Sequence, residues 1–291
     1  MEQKKDVGKI SDKNMMEMLD LYNRAFPNLQ TDQNIFFDRL LLENGSIIFE
    51  HREGAVLAGF SVVNDDGILL LCVDENHRNQ GIGTDLLRLS EQYIKMDFNK
   101  IQLGLSRNTY LFCGVPMNDF SDSHTFFEKH GYSEKWVSFD MIIDLSKYNH
   151  IPELNNKDTN ILIRHRRNDP EDIENAASCG EIIDGWGEIY RSSTDLIVAE
   201  ADGKIIGGVS VDPDFCLFPI SLKEAGSFGC LGVLEEYRNC GIGMKLCQEA
   251  LHILKNSGCQ ICHIGYTWLD WWYGKLGAVK YTNYWMGEKK L

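Results

Sequence analysis

The sequence lacks any long hydrophobic run, and this absence bears on where the protein works. Its longest apolar segment, "ILLLCV" at positions 68–73, has the length of a buried strand, whereas a membrane-spanning helix needs roughly 18 apolar residues or more. The first ten residues, "MEQKKDVGKI", contain no apolar stretch of the kind found in a secretory signal peptide. We therefore expect a cytoplasmic protein with no membrane partner.

Basic residues and paired cysteines are also scarce. Lys and Arg total 29 against 43 Asp and Glu, for a formal net charge of −14. This acidic balance argues against a nucleic-acid partner and would mildly attract a small cationic molecule. The nine cysteines are an odd number without framework spacing, which favours buried thiols in a reducing compartment over a disulfide scaffold.

A repeat of domain size is what the sequence does contain. The segment "HRNQGIGTDL" at 77–86 returns, with small changes, as "YRNCGIGMKL" at 237–246, an offset of 160 positions. This offset is too long for a solenoid and suits a duplicated domain. Between the copies lies a polar stretch with several asparagines and a proline. We expect an N-terminal domain at 1–148, a linker at 149–159 and a C-terminal domain at 160–291.

Both halves predict the same order of elements. The first half begins with a helix, and the second begins with a strand-like run at 160–166 and an acidic helix at 169–178. Each continues with strand-like runs separated by tight-turn residues and reaches a strand that leads into the glycine segment and a further helix. Another strand and an aromatic-rich helix follow. The fold class expected is α/β with mixed α+β character: two tandem domains, each a mixed, mostly antiparallel sheet flanked by helices.

The glycines in the repeated segment suit the binding of an anion. Each segment precedes an amphipathic helix, whose first N–H groups lack backbone partners and carry partial positive charge. Gly81 and Gly241 leave no Cβ in front of those groups, and Arg78 and Arg238 add a charged donor fork. A diphosphate would fit such a site. The spacing matches neither the P-loop nor the dinucleotide-binding turn, since the residues those patterns require are absent.

The remaining pattern, Arg-x-x-Gly-x-Gly between an apolar strand and a helix, resembles the coenzyme A signature of the GNAT acetyltransferase superfamily. It occurs within "LCVDENHRNQGIG" at 71–83 and "LGVLEEYRNCGIG" at 231–243, so the chain resembles a tandem GNAT protein. The resemblance implies that acetyl-CoA binds as co-substrate and that its pantetheine arm contacts the backbone near Leu71, Val73, Leu231 and Val233. It also implies that diphosphate contacts come from Arg78, Asn79, Gln80, Gly81, Ile82, Gly83 and Thr84, and from Arg238, Asn239, Cys240, Gly241, Ile242, Gly243 and Met244.

The resemblance further distinguishes the two halves. In this superfamily a tyrosine on the late helix commonly protonates the departing thiolate. The second half has Tyr273 four residues before Gly277, and the first half has Phe127 four residues before Gly131. Because phenylalanine has no proton to give, we expect the second half to catalyse, with Tyr273 as the acid. An ordinary packing role for Tyr273 stays open.

The expected activity is acetyl-CoA-dependent N-acetyl transfer to a small amine or to an amino group on a larger molecule, which attacks the thioester directly. Glu200, His263 and Asp270 are candidate bases, with structural roles open for each. The segment at 107–123 could cover the pocket of the first half or pack on the other domain. The segment at 215–227, together with 182–190, could shape the acceptor pocket. Simple surface or domain-interface loops stay open for both. The alternative function is a non-catalytic acetyl-CoA sensor or interaction protein. Neither the acceptor nor the oligomeric state follows from the sequence.

The motif "CQICH" at 259–263 matches a haem-attachment pattern and half of a zinc site. We expect neither haem nor metal here, because no second cysteine pair stands at zinc spacing. The motif opens a strand, where successive side chains alternate across the sheet.

Overall fold

A computed structural model describes residues 12–42, 45–107, 109–118, 122–148 and 161–291 of the chain. The predicted linker at 149–159 and the first ten residues lie outside the described part, so the domain boundaries placed there stay a prediction. By its contacts the chain forms two compact units. The first contains Met1–Phe139, Leu217–Ser221 and Tyr281–Leu291, and the second contains Asp140–Cys216 and Leu222–Lys280.

The first unit begins with two helices and an antiparallel strand meander. Its elements are α1 (Asp12–Ala25), α2 (Gln33–Arg39), β1 (Ile47–Glu53), β2 (Val56–Asn64), β3 (Gly67–Val73), α3 (Ile82–Ile94), β4 (Lys100–Leu103), β5 (Val115–Pro116), α4 (Ser123–Lys129) and β6 (Ser133–Asp144), the last five residues of β6 belonging to the second unit. The β1–β2 and β2–β3 pairs are antiparallel, whereas β3 and β4 are parallel.

The second unit repeats this order with an additional strand before its helices and, within its described residues, without a counterpart of β5. Its elements are β7 (Ile161–His165), α5 (Pro170–Asp184), α6 (Gly187–Ser192), β8 (Asp195–Ala201), β9 (Lys204–Asp212), β10 (Ala225–Val233), α7 (Ile242–Asn256), β11 (Ile261–Thr267), α8 (Asp270–Tyr273) and the start of β12 (Val279–Lys290). Strands β7 to β10 form an antiparallel meander, and β11 lies parallel to β10. The mixed sheets and flanking helices confirm the predicted fold class.

The helices that follow the glycine segments pack with the predicted faces. In α7 the helical spacing predicts a buried face made of Ile242, Leu246, Cys247, Ala250, Leu251 and Leu254, and all six are buried. In α3, Ile82 and Leu86 are buried as expected. Leu89 and Tyr93 are half-buried at the edge of that face, and Tyr93 packs against the core of the first unit.

The end of the chain builds part of the first unit. Residues Tyr281–Leu291 belong to that unit, where β12 pairs antiparallel with β4 and with β5. Trp285 lies in the core cluster that includes Ile68, Leu103 and Val115. The sequence analysis did not predict this strand. The alternation of a strand does not reveal which sheet the strand joins.

The segment Leu217–Ser221 also belongs to the first unit. The hydroxyl of Thr31 donates to the carbonyl of Leu217 at 2.7 Å, and the N–H of Gln30 donates to the hydroxyl of Ser221 at 2.8 Å. This part of the 215–227 insertion therefore packs on the loop that follows α1.

Trp285→Ala is expected to destabilise the first unit by about 3–5 kcal/mol, because it removes a large buried side chain from the core. Thermal or denaturant unfolding followed by circular dichroism measures the change. The control is Val279→Ala on the same strand, whose side chain is 59% exposed, with an expected change of about 0.5 kcal/mol or less. Equal stability of the two variants would contradict the placement of this strand.

Candidate functional site

The two glycine segments have nearly the same backbone conformation. Asn79 and Asn239 have φ angles of 61° and 65°, and Gly81 and Gly241 have 89° and 81°. Each segment follows a 3-10 turn, Glu75–His77 in one unit and Glu235–Tyr237 in the other. The left-handed region explains why glycine stands at 81 and 241, since L side chains are strained there. The sequence repeat is therefore also a structural repeat.

The arginine of each segment fastens the loop to the strand before it. The Nε of Arg78 donates to the carbonyl of Val73 at 3.1 Å, and the Nε of Arg238 donates to the carbonyl of Val233 at 2.9 Å. This bracing role was missed in the sequence, where the arginine suggested only a charge for an anion. Both roles are compatible, because a guanidinium has five N–H donors and the brace uses one.

The space around the glycines fits an anion at each helix start. A Cβ on Gly81 or Gly241 would meet no atom within 4 Å, so the region before the helix is open. Neither helix has a side-chain cap, α3 beginning after Gly81 and α7 after Gly241. The first-turn N–H groups of both helices are thus without side-chain acceptors, and the residues present fit a diphosphate.

The second glycine of each pair faces an aromatic ring. A Cβ on Gly83 would lie 3.6 Å from the ring of Phe126, and one on Gly243 would lie 3.5 Å from the ring of Trp272, both ordinary contact distances. These aromatic residues belong to the late helices α4 and α8. The late helix of each unit therefore lies next to its glycine segment, and packing alone does not require the second glycine.

Parallel strands separate next to each segment. Strand β3 pairs with β4 through Gly67 and Ile68 only, and β10 pairs with β11 as far as Ser227 opposite His263. Beyond these points the strands of each pair are no longer paired, and an irregularity interrupts the register of both β3 and β10 with the preceding strand. Leu71, Val73 and Val233 lie beyond the irregularities and Leu231 lies within that of β10, so each unit has an unpaired strand edge beside its anion site.

A buried tyrosine supports the irregularity in the second unit. The hydroxyl of Tyr190 lies 2.7 Å from the carbonyl oxygen of Cys230 and 2.9 Å from that of Gly208. Cys230 has a φ of 50°, a conformation that needs support from its surroundings. Because a trans peptide directs its C=O and N–H in opposite directions, the N–H of Leu231 points away from Tyr190.

Two glycines make room for Tyr190. A Cβ on Gly180 would lie 2.8 Å from its ring, and one on Gly208 would lie 2.9 Å from it. The sequence analysis missed this group. Its only sequence signal is a glycine inside a helix and another inside a strand, which indicates a close approach but not its partner.

In the first unit the separated strands border a cavity of about 480 Å³. Part of its lining is the glycine segment, with Arg78, Asn79, Gly81, Gly83 and Thr84. Much of the rest is apolar and includes Leu70, Phe26, Phe112, Val115 and Phe127. The lining thus combines polar and cationic groups with hydrophobic side chains, and the volume of the cavity lies within the usual range for small-molecule sites, about 300–1,000 Å³.

Tyr273, the predicted acid, is the last residue of α8 and is buried. Its ring lies 4.9 Å from the ring of Trp272 and 6.1 Å from that of Phe228, between ring centroids. Burial raises the pKa of its hydroxyl well above the ordinary value, and Cys247 and Cys262 add to the rise. The phenol therefore keeps its proton at neutral pH.

Phe127 occupies the matching position of the first unit. It is buried on α4, and its ring lies 5.1 Å from Phe126 and 5.7 Å from Tyr132. Gly131 and Gly277, four residues beyond Phe127 and Tyr273, have φ angles of 88° and 84°. The two late helices thus end in the same way and differ in the group that could supply a proton.

The three candidate bases have different surroundings. Glu200 accepts from the Nε of Arg164 at 2.8 Å, and Asp270 lies 2.8 Å from the ammonium of Lys280. His263 is buried, with its Nε2 3.3 Å from a carboxylate oxygen of Asp140. Glu200 and Asp270 are thus engaged in ion pairs, which favours structural roles. His263 next to a carboxylate has the arrangement of an oriented imidazole.

Two further observations concern metal and membrane. Among the described residues, no cluster of three or more His, Cys, Asp or Glu side chains is arranged to hold a metal ion. Cys259 and Cys262 of the "CQICH" motif are buried, and burial raises the pKa of both thiols. None of the helices in the described ranges has the length and apolarity that crossing a membrane requires.

Comparison with protein families agrees with this geometry. The profile of the Acetyltransferase (GNAT) family matches residues 161–267, and that of an Acetyltransferase (GNAT) domain matches residues 42–134. The chain belongs to the GNAT acetyltransferase family. Each profile covers one of the two repeated segments, so this is a tandem GNAT protein. No curated protein matches the sequence.

Solved structures show the same fold at low sequence identity. A glucosamine N-acetyltransferase region of a fungal multi-domain beta-N-acetylglucosaminidase has a TM-score of 0.80 at 20% identity, covering 95% of this chain and 37% of that one. A GCN5-related N-acetyltransferase from Sphaerobacter thermophilus has a TM-score of 0.73 at 16% identity, covering 97% and 94%. A tandem GNAT protein from the clavulanic acid biosynthesis pathway has a TM-score of 0.68 at 14% identity, covering 96% and 95%.

Met244→Glu is expected to weaken acetyl-CoA binding by the second unit at least about tenfold, because it puts a negative charge in the first turn of α7, where a diphosphate would bind. The control is His252→Glu, which adds the same charge to an exposed position two turns along the helix. Isothermal titration calorimetry measures both affinities. Unchanged binding by a folded Met244→Glu protein would contradict the anion site at α7.

Proposed function

We propose that this GNAT protein is an acetyl-CoA-dependent N-acetyltransferase whose chemistry takes place in the second unit. Membership of the family supports acyl transfer in general. The observation that favours the second unit is Tyr273, a protonated buried phenol on the late helix, where the first unit has Phe127. Acetyl-CoA supplies an already activated acyl group. The protein therefore needs only to bind and orient the two substrates and to exchange protons with them.

Binding would use backbone groups at both ends of the unpaired strand edge. The first-turn N–H groups of α7, near Gly241 and Gly243, would hold the diphosphate, with Arg238 nearby. The edge of β10 at Leu231 and Val233 would hold the pantetheine arm in the manner of an added strand. Such contacts are independent of side-chain identity, which agrees with low sequence identity among proteins of this fold.

The irregularity in β10 would supply electrostatic stabilisation. The N–H of Leu231 points away from Tyr190, toward the side on which no further strand pairs with β10 at this level. A fixed backbone N–H of this kind can stabilise developing negative charge on an acyl oxygen without reorganising. Tyr190, Gly180 and Gly208 then serve as positioning residues for that donor.

Tyr273 would provide the proton for the departing thiolate. A group with a raised pKa is a weaker acid but is fully protonated over the physiological range. The amine must lose a proton before it attacks. Of the three candidate bases, Glu200 and Asp270 lie against a cation, whereas His263 lies against the carboxylate of Asp140. We propose His263 as the base on that difference.

For the acceptor we propose an amino group on a small molecule. The acidic balance of the chain would attract a cationic acceptor mildly. The printed description of the structural relative with a TM-score of 0.80 names glucosamine N-acetyl transfer, which makes glucosamine a reasonable first member of an acceptor panel. A non-catalytic acetyl-CoA sensor is the second candidate function, and Phe127 favours it for the first unit.

Tyr273→Phe is expected to lower kcat by about 10²–10⁴-fold with little change in acetyl-CoA affinity, because it removes a proton donor and keeps the ring. Release of free thiol from acetyl-CoA over a panel of amines measures kcat, and calorimetry measures affinity. Tyr148→Phe is the control, since it removes another buried hydroxyl of the second unit. Full activity of Tyr273→Phe would refute the acid role. Binding without turnover on every amine would favour the sensor.

The rate is expected to rise with pH as the acceptor amine loses its proton, and to show no falling limb up to about pH 10. The sign follows from the pKa of Tyr273, which burial raises above its ordinary value of about 10. A raised pKa keeps the acid protonated to higher pH. A profile of kcat/KM from pH 6 to 10.5 tests this, and a decline with a midpoint near pH 8 or 9 in an intact enzyme would exclude Tyr273 as the acid.

A further inference from the structure

The cavity of the first unit has a composition that sets it apart from a site for amine acetylation. Among the described residues that line it, Arg78 and Cys72 are the only ones with ionisable side chains. Burial raises the pKa of the Cys72 thiol to about 12, so this thiol is neutral. The cavity lining thus provides no carboxylate or imidazole to take a proton from an amine.

The lining also provides no acid for a departing thiolate. The late helix contributes Phe126, Phe127 and Ser123 to the cavity. Phe127 stands where the second unit has Tyr273, and no tyrosine is among the described residues that line the cavity. Tyr132 packs its ring on Phe127 from outside this lining. The glycine segment nonetheless keeps the anion-binding arrangement of the other unit, from the left-handed Asn79 to the open Gly81.

Apart from the glycine segment, the lining of the cavity is mostly hydrophobic. It includes Phe26 and Phe112, whose ring centroids are 5.5 Å apart. Tyr22 directs its hydroxyl to the carbonyl of Leu29 at 2.6 Å, and its ring packs against Phe26 and Phe36. These side chains offer no polar partner and favour an apolar chain.

We propose that the first unit is a separate ligand site that binds a coenzyme A thioester with a medium-length apolar acyl chain and retains it without transferring the acyl group. The diphosphate lies at the first turn of α3 near Gly81, and the acyl chain lies against Phe26 and Phe112. The site goes beyond the activity proposed for the second unit and does not depend on it.

The test uses the full chain carrying Met244→Glu, so that the second unit does not bind, with octanoyl-CoA and acetyl-CoA as probes in calorimetry. We expect one equivalent of octanoyl-CoA per chain, bound at least about tenfold more tightly than acetyl-CoA, since each buried CH₂ can add up to about fourfold in affinity. No free thiol should be released when amines are added.

Added substitutions locate the ligand. Thr84→Glu puts a charge in the first turn of α3 and should abolish binding, whereas Gln92→Glu adds the same charge to an exposed position on the same helix and should not. Ala25→Trp, at the half-exposed end of α1, should remove the preference for octanoyl-CoA and keep acetyl-CoA binding. Circular dichroism establishes that each variant is folded.

Four outcomes would overturn the inference. They are no octanoyl-CoA binding in the folded Met244→Glu protein, equal affinity for the two thioesters, equally tight binding of free octanoate, and release of thiol from octanoyl-CoA. Each is distinct from a failure of the function proposed for the second unit, because that function is measured as acetyl transfer by the wild-type protein.

Discussion

The structure depends on two helix beginnings that have no side-chain cap. At the start of α3 and of α7 the chain turns through left-handed residues, Asn79 and Gly81 or Asn239 and Gly241, and the first N–H groups face open space. An uncapped helix start costs stability unless something accepts from it. The arginine brace to the preceding strand holds the turn while these donors stay available. The loop can bind an anion because the first-turn N–H groups of the helix have no side-chain acceptor.

The separated parallel strands, like the uncapped helix starts, leave backbone groups without partners in the protein. A strand edge that pairs with nothing exposes N–H and C=O groups that a ligand can use. In the second unit the hydroxyl of Tyr190 fixes the carbonyl of Cys230 at the irregularity, and two glycines make room for the tyrosine ring. The bound hydroxyl fixes the peptide plane, and with it the direction of the opposite N–H group. Packing around Tyr190 thereby determines the orientation of a backbone N–H group of β10.

The sequence predicted the features that depend on neighbouring residues and missed those that depend on residues far apart in the chain. The glycine loops were predictable because their requirements are local: a left-handed position, a helix start and an arginine three residues earlier. The faces of α3 and α7 were predictable for the same reason. The placement of Trp285 and of Leu217–Ser221 in the first unit was not, since alternation identifies a strand without identifying its neighbour. The contact of Tyr190 with Gly180 and Gly208 was not predictable, because a glycine indicates a close approach without identifying the residue that approaches.

The two units have the same glycine loop and differ in the aromatic residue of the late helix. Their loops agree in φ to within a few degrees at Asn79 and Asn239, so the backbone that suits a diphosphate is present twice. Their late helices end at glycines of the same conformation, yet one carries Tyr273 and the other Phe127. Replacing a phenol by a phenyl ring keeps the volume and removes the proton. A duplicated domain can lose chemistry by that one change while its fold and its anion site persist, because neither depends on the hydroxyl group. Selection on the first unit would then act on the ligand that the cavity binds. The hydrophobic lining residues of the cavity are the ones that such selection would change.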